Sequence, residues 1–298
     1  MIATKKKKKR NRNIQLFFVI VLYATCVYRI FTLNKMPQEA VFSLFPNILF
    51  YHLLSIILLT INTITLPFVV RRQKLMEQKN YYLSLFYLLL SLLFPIVLDP
   101  LSQFVGLVFI LGIFPNLFDI EEHNINRKLF LMGLCVGVLG VIYFPFAALL
   151  FFAYLSCLTY RRFNFRLFFL PIASVLLPFI YWYSALYILG YGFSIQENIL
   201  QMKDSLLQFQ FFEQFETKKT LIFAISLSVI SLVLIYLLNR LADKSSLLER
   251  KKYYILLILF LFSIIFALSY SQFYVEIALM LYAVVLAVLI GFRRKKKM

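Results

Sequence analysis

The sequence has little of what soluble enzymes and secreted proteins are built from. Acidic residues number 13 against 31 Lys and Arg, and the chain has 8 glycines and 3 cysteines. Phosphate-loop, dinucleotide-binding, nucleophile-elbow and metalloprotease motifs are missing, so no cofactor is expected. Cys26, Cys135 and Cys157 all lie inside apolar runs, which favours small buried side chains over a disulfide framework or a zinc site.

Apolar residues are what the chain has in excess. It is 62% hydrophobic with a mean hydropathy of +0.84, whereas an ordinary globular domain is about half apolar. No polar stretch is long enough for a separate soluble domain. A membrane is about 30 Å thick in its hydrocarbon core and needs about 20 apolar residues per helix. The composition therefore predicts a single membrane-embedded, all-α unit.

Basic residues are concentrated in alternate gaps between the apolar runs. The clusters are Lys5–Arg12, Arg71–Lys79, Arg127–Lys128, Arg161–Arg166, Arg240–Lys252 and Arg293–Lys297. Short loops rich in Lys and Arg stay cytoplasmic, so the positive-inside rule places residues 1–13 and 293–298 in the cytoplasm, on either side of a bundle over 14–292. Because the net charge of +18 is dispersed, it indicates anionic lipid headgroups as partners and argues against nucleic acid.

The apolar runs predict a polytopic transmembrane bundle of about ten helices with both termini cytoplasmic. The predicted crossings are Ile14–Leu33, Asn47–Val70, two within Tyr81–Phe118, two within Leu129–Tyr160, Leu167–Gly190, Thr220–Leu238, Tyr253–Ser271 and Ile277–Phe292. The first pair is expected to turn at Pro95 and Asp99-Pro100, and the second near Phe144-Pro145. The second pair is short for two spans, so residues 129–160 either cross twice or form a re-entrant hairpin.

The longest outer segment, residues 191–219, contains an amphipathic pattern over Ser194–Thr217. Ile195, Ile199 and Met202 recur at helical spacing and predict a helix lying along the outer interface. Such a helix either lids the bundle or covers a lateral entrance for a lipid-linked substrate.

Four ionisable residues within the helices or toward the outer side are the candidate site residues. Arg29 is the candidate substrate-binding residue, for a phosphate, and Glu39, Asp99 or Glu276 is the candidate catalytic base. The simpler interpretation is a snorkelling Arg29, a turn-forming Asp99 and an interfacial Glu276. No carboxylate is expected in mid-helix, which disfavours an ion pump, and no metal site is expected.

Small and amide side chains inside the helices indicate helix packing. Gly133, Gly137 and Gly140 share one helix face, where small residues let a neighbouring backbone approach closely. Asn62 and Asn116 are lone polar residues in apolar helices, and we expect both to form interhelical hydrogen bonds.

Between Gln103 and Gly190 the chain resembles a bacterial family of polytopic inner-membrane proteins of uncharacterised function and similar length. The resemblance rests on Phe109-Ile110-Leu111-Gly112-Ile113-Phe114, Phe130-Leu131-Met132-Gly133-Leu134, Ile142-Tyr143-Phe144-Pro145, Arg161-Arg162-Phe163-Asn164-Phe165-Arg166 and Leu177-Pro178-Phe179-Ile180-Tyr181-Trp182. The chain is also distantly similar to the membrane part of GT-C-type glycosyltransferases, which use polyprenyl-phosphate donors. Those enzymes present an acidic pair in the first outer loop, whereas here Asn34–Pro46 contains Glu39 alone.

These observations favour a protein of the bacterial cytoplasmic membrane that is not an enzyme. We expect a carrier or assembly component that handles a lipid-linked or amphiphilic envelope substrate. The alternatives are a GT-C-like transferase and a non-catalytic membrane scaffold. The sequence identifies no partner protein.

Overall fold

The computed structural model describes residues 2–32, 48–76, 81–94, 98–118, 124–159, 164–188, 218–269 and 272–295. The regular structure in these ranges is helical throughout, without a strand, which confirms the all-α prediction. The helices are α1 (Ile2–Thr32), α2 (Ile48–Arg72), α3 (Tyr82–Leu93), α4 (Pro100–Leu117), α5 (Ile125–Ile142), α6 (Leu150–Thr159), α7 (Phe165–Ile188), α8 (Lys218–Asp243), α9 (Leu247–Ser269) and α10 (Gln272–Lys295).

Several helices have the length and composition of membrane-spanning segments. Five are long and apolar enough within the described residues: Asn13–Thr32, Leu49–Arg72, Pro100–Leu117, Ile125–Ile142 and Phe165–Ile188. Three shorter apolar stretches are Tyr82–Leu93, Phe144–Thr159 and Val275–Gly291. The chain thus has several helices suited to a bilayer.

Two breaks between helices lie next to prolines, although other prolines lie inside continuous helices. α3 ends at Leu93, shortly before Pro95, because a residue that precedes proline disfavours the helical conformation. α4 then begins at Pro100, which needs no hydrogen-bond partner for its nitrogen in the first turn. Farther along, α5 ends at Ile142, and Tyr143 is extended with φ −150° and ψ 109° before a 3₁₀ turn over Phe144–Leu149. The helices are thus interrupted at both predicted positions, although residues 95–97 of the first lie outside the described residues.

α4 contains one wide turn, over Phe109–Ile113, that is π-helical. The Phe114 amide donates to the carbonyl of Phe109, five residues earlier, instead of to the usual fourth. Pro115 follows, lacks an amide proton and would crowd the carbonyl four residues before it. Widening this turn lets the helix continue past the proline.

The chain divides into two compact units, and the first comprises residues 1–107 and 272–298. In it, α3 packs against α1, α2 and α10. Polar side chains link the helices: Ser84 donates to the Thr63 carbonyl at 3.1 Å, and the Cys26 thiol donates to the Leu88 carbonyl at 3.7 Å. α3 is therefore the central helix of this unit.

The second unit comprises residues 108–271, and its main contact is between α5 and α7. A Cβ atom built on Gly133 would lie 2.6 Å from the carbonyl oxygen of Pro171, and one on Gly137 would lie 2.5 Å from that of Val175. At Gly140 the nearest atom, at 3.0 Å, belongs to an aromatic ring. All three glycines thus face α7, and the α7 backbone comes close to α5 at Gly133 and Gly137.

Candidate functional site

Buried polar side chains from four helices of the first unit meet in one cluster. Asn62 comes from α2, Tyr87 from α3, Gln103 from α4 and Glu276 from α10, and each is 0% exposed. We call these four residues the Glu276 cluster. Their neighbours along each helix are mostly apolar, so the cluster is a polar site inside an apolar bundle.

A continuous set of hydrogen bonds connects the four side chains. Asn62 Nδ2 donates to the backbone carbonyl of Gln103 at 2.9 Å and to Gln103 Oε1 at 2.8 Å. The Tyr87 hydroxyl oxygen lies 2.9 Å from the same Oε1 and 2.8 Å from Glu276 Oε1. The cluster therefore ties α2, α3, α4 and α10 together.

A glycine on α4 makes room for the carboxyl group. A Cβ atom at Gly106 would lie 2.9 Å from both Cγ and Oε1 of Glu276, and closer still to Cε of Met280. Gly106 follows Gln103 by one helical turn and therefore lies on a neighbouring part of the same α4 surface. Any larger residue at this position would displace Glu276.

Several buried polar atoms in and beside the cluster are unpaired. Glu276 Oε2, Asn62 Oδ1 and Ser102 Oγ have no hydrogen-bond partner among the described residues. No Lys, Arg or His in that part of the chain pairs with Glu276. Buried unpaired polar atoms are destabilising by about 1–3 kcal/mol each, so packing alone does not explain a carboxyl group here.

The structure begins the last helix earlier than predicted, so that it includes Glu276. The expectations that Glu276 lies near an interface and that no carboxylate lies in mid-helix stay predictions. α10 begins at Gln272, before the predicted Ile277, so Glu276 lies within the apolar stretch Val275–Gly291 and is fully buried. Glu276 is the fifth of the 24 residues of α10, near the beginning of the helix.

Asp99 belongs to a separate set of hydrogen bonds at the start of α4. Its Oδ1 accepts a hydrogen bond from the Tyr51 hydroxyl, and its Oδ2 accepts from the amides of Leu101 at 3.0 Å and Ser102 at 3.3 Å. Burial raises the pKa of the Asp99 carboxyl above its ordinary 3.8, while these hydrogen bonds act in the opposite direction. This geometry makes Asp99 a helix cap that also anchors α2.

The structure does not bring the candidate catalytic and binding residues together. Arg29 is exposed on α1, and among the described residues Arg29, Asp99 and Glu276 form no hydrogen bond or ion pair with one another. Glu39 and the outer segment 191–219, with its Ser194–Thr217 pattern, lie outside the described residues.

The two asparagines singled out in the sequence differ in their partners. The interhelical bond predicted for Asn62 is confirmed, because it joins α2 to Gln103 of α4. Asn116 instead donates to the Gly112 carbonyl of its own helix at 2.5 Å, and within the described ranges its side chain makes no interhelical bond. The sequence analysis did not single out Gln103 or Tyr87 as site residues. Gln103 could have been found, because it is a polar residue in an otherwise apolar helix.

The cluster lacks the side chains of a metal centre. Within the part of the chain that the structure describes, no three His, Cys, Asp or Glu side chains lie close enough to hold a metal ion. A lone carboxyl, a phenol and two amides can instead bind, donate or exchange a proton. No family model, curated protein or solved structure matches this chain, so the function must be argued from this geometry.

Proposed function

We propose that the protein is a multi-pass carrier of the bacterial cytoplasmic membrane, with about ten crossings and both termini in the cytoplasm. Its long apolar helices support this proposal, as do the large apolar side chains exposed along α1 and α7. Examples are Phe17, Ile20 and Tyr28 on α1 and Ile180 and Ile188 on α7. Water would contact these side chains in a soluble protein, whereas lipid tails solvate them in a bilayer.

The carrier moves a lipid-linked or amphiphilic substrate and uses the Glu276 cluster as its working site. The observation that supports this most is the fully buried Glu276 carboxyl on an apolar helix, with one oxygen unpaired. Ionisable groups inside membrane helices are destabilising and commonly mark substrate or ion pathways. An amphiphile suits such a protein because its headgroup needs a polar site while its tail stays in lipid.

Reconstitution in liposomes tests the carrier directly. The probe is a polyprenyl phosphate carrying a fluorophore that dithionite, added outside, bleaches only in the outer leaflet. A carrier delivers inner-leaflet probe to the outside, so bleaching becomes nearly complete, whereas empty liposomes stop at about half. Glu276→Gln is expected to slow this movement, and Glu249→Gln, on a half-exposed residue of α9, is expected to leave it unchanged.

Bleaching that stays at the level of empty liposomes would reject the carrier function and would favour the non-catalytic scaffold. Transfer of a sugar from a glycosylated polyprenyl phosphate to an acceptor, with release of the polyprenyl phosphate and loss of the reaction in Asp99→Asn, would favour the transferase. The orientation has its own test, in which single cysteines replace Lys203 or Lys251. An impermeant maleimide added to intact cells is expected to label position 203 and not 251, and the reverse would reject the topology.

A further inference from the structure

The backbone carbonyl of Gln103 determines which atom donates and which accepts in each hydrogen bond of the Glu276 cluster. A carbonyl oxygen only accepts, so the Asn62 atom that lies 2.9 Å from the Gln103 carbonyl is the amide nitrogen. The same nitrogen lies 2.8 Å from the end of the Gln103 side chain. The Gln103 atom that faces it is therefore the amide oxygen, because two NH₂ groups do not bond each other.

The amide oxygen of Gln103 in turn fixes the Tyr87 proton. This oxygen only accepts, and the Tyr87 hydroxyl oxygen lies 2.9 Å from it, so the single hydroxyl proton points to Gln103. Glu276 Oε1 lies 2.8 Å from the same hydroxyl oxygen, on which no second proton is present. These two oxygens form a hydrogen bond only when the proton between them belongs to the carboxyl.

We infer that Glu276 is a proton-binding site, which carries its proton on Oε1 and donates it to the Tyr87 hydroxyl. The unpaired Oε2 is then the carbonyl oxygen of a neutral acid, which is far less destabilising than an unpaired carboxylate oxygen. The side chains around Glu276 are also consistent with a neutral carboxyl group. Among the described residues, Tyr87 on α3 is the titratable group that faces Glu276.

In the described ranges, the other elements packed against Glu276 present no charged side chain to it. α4 contributes Gly106 beside Glu276 and Gln103 beside Tyr87, and α2 contributes Asn62 through Gln103. On α10 itself the next residue at this contact is Met280. With no cation to balance a carboxylate, a proton is the ligand that makes this site neutral.

Releasing the proton changes the hydrogen bonds that the Tyr87 hydroxyl makes. The O–H bond of the carboxyl breaks, its electron pair stays on Oε1, and the proton passes to water. The Tyr87 proton then turns from Gln103 to the carboxylate. Gln103 Oε1 and the Tyr87 oxygen, 2.9 Å apart, are left facing each other without a proton, and the contact of α3 with α4 weakens.

Proton binding at Glu276 is thereby linked to how tightly the four helices hold together. The protonation of Glu276 does not depend on the proposed carrier function, whereas its use to drive transport does. The lipid-movement assay and a spectroscopic measurement of the carboxyl proton can therefore fail independently.

Infrared spectroscopy of the full chain in lipid nanodiscs tests the proton site. The C=O stretch of a protonated carboxylic acid is separate from the carboxylate bands. We expect this band at neutral pH in the wild type, its loss in Glu276→Gln and its retention in Glu249→Gln. We also expect it to disappear reversibly as the pH is raised while the protein remains folded.

A second variant keeps the test decisive if Glu276→Gln does not fold. Tyr87→Phe removes the acceptor of the carboxyl proton, so the same band is expected to shift to higher frequency. The inference is overturned if the wild type shows no acid band at neutral pH, if the band survives in Glu276→Gln, or if Tyr87→Phe leaves it in place. A band that persists unchanged until the protein unfolds would also overturn it, since the site would then never release its proton.

Discussion

Replacing Tyr87 by Phe is expected to destabilise the first unit by more than the loss of one ordinary interhelical hydrogen bond. The hydroxyl joins two partners, Gln103 Oε1 and Glu276 Oε1, inside a fully buried site. Hydrogen bonds between membrane helices contribute about 0.6 kcal/mol on average and up to about 1.7 kcal/mol. Two lost bonds, with the carboxyl proton left unpaired, correspond to a loss of about 2 kcal/mol in the free energy of unfolding.

Tyr23→Phe is the matched control for this measurement. Among the described residues, the Tyr23 hydroxyl bonds one partner, Thr60 Oγ1, at 2.6 Å, in a half-buried position of the same unit. We expect a loss of about 0.6 kcal/mol, which is the average for one such bond. Both variants are compared with the wild type by reversible denaturation in mixed micelles. If Tyr87→Phe destabilises the protein no more than Tyr23→Phe, the hydrogen-bonded cluster does not hold the helices together.

Two further substitutions test the fold. Gly137→Ala is expected to destabilise the second unit by about 2 kcal/mol, because its Cβ would lie 2.5 Å from the Val175 carbonyl and α5 and α7 would have to separate. A thermal melt in detergent compares it with Gly291→Ala. No loss is expected there, because an added Cβ meets no described atom within 4 Å beyond its own helix backbone and chain neighbours. Asp99→Ala is expected to lower the free energy of unfolding by about 1 kcal/mol, because α4 loses its cap, and Asp99→Asn is expected to lower it less. The same thermal melt measures both variants. Equal melting temperatures for the wild type and Asp99→Ala would contradict the capping role.

The sequence was sufficient for the features of the fold that local chemistry decides. Apolar run lengths located the helices, and the breaks at Pro95 and Phe144-Pro145 followed from what proline does to its neighbours. The spacing of Gly133, Gly137 and Gly140 likewise indicated one packing face before the partner helix was known. These features depend on residues close together in the chain.

The candidate site could not be predicted in the same way. Tyr87 and Glu276 are 189 positions apart, and nothing in either segment indicates the other. A charged residue next to an apolar run also resembles a helix end, which is why the predicted helix began at Ile277 instead of Gln272. A hydropathy scale treats every Glu as a charged residue. A Glu whose carboxyl group keeps its proton is neutral, and it can be buried among apolar helices.

The resemblance to polytopic inner-membrane proteins and to GT-C-type membrane domains stays a prediction. The second of these would require an acidic pair near the outer surface. The described acidic candidates do not form such a pair, because Asp99 caps α4 and Glu276 belongs to the buried cluster. The geometry thus favours a site that handles a proton over a site that transfers a sugar.

The pH dependence of unfolding, compared between the wild type and Glu276→Gln, tests the central claim most directly. The folded protein binds a proton at Glu276 that the unfolded chain releases in neutral solution, so raising the pH destabilises the folded state. We expect the wild type to lose stability relative to Glu276→Gln as the pH rises. Parallel curves for the two proteins, or a wild type that gains stability with rising pH, would show that Glu276 is not held in its protonated form.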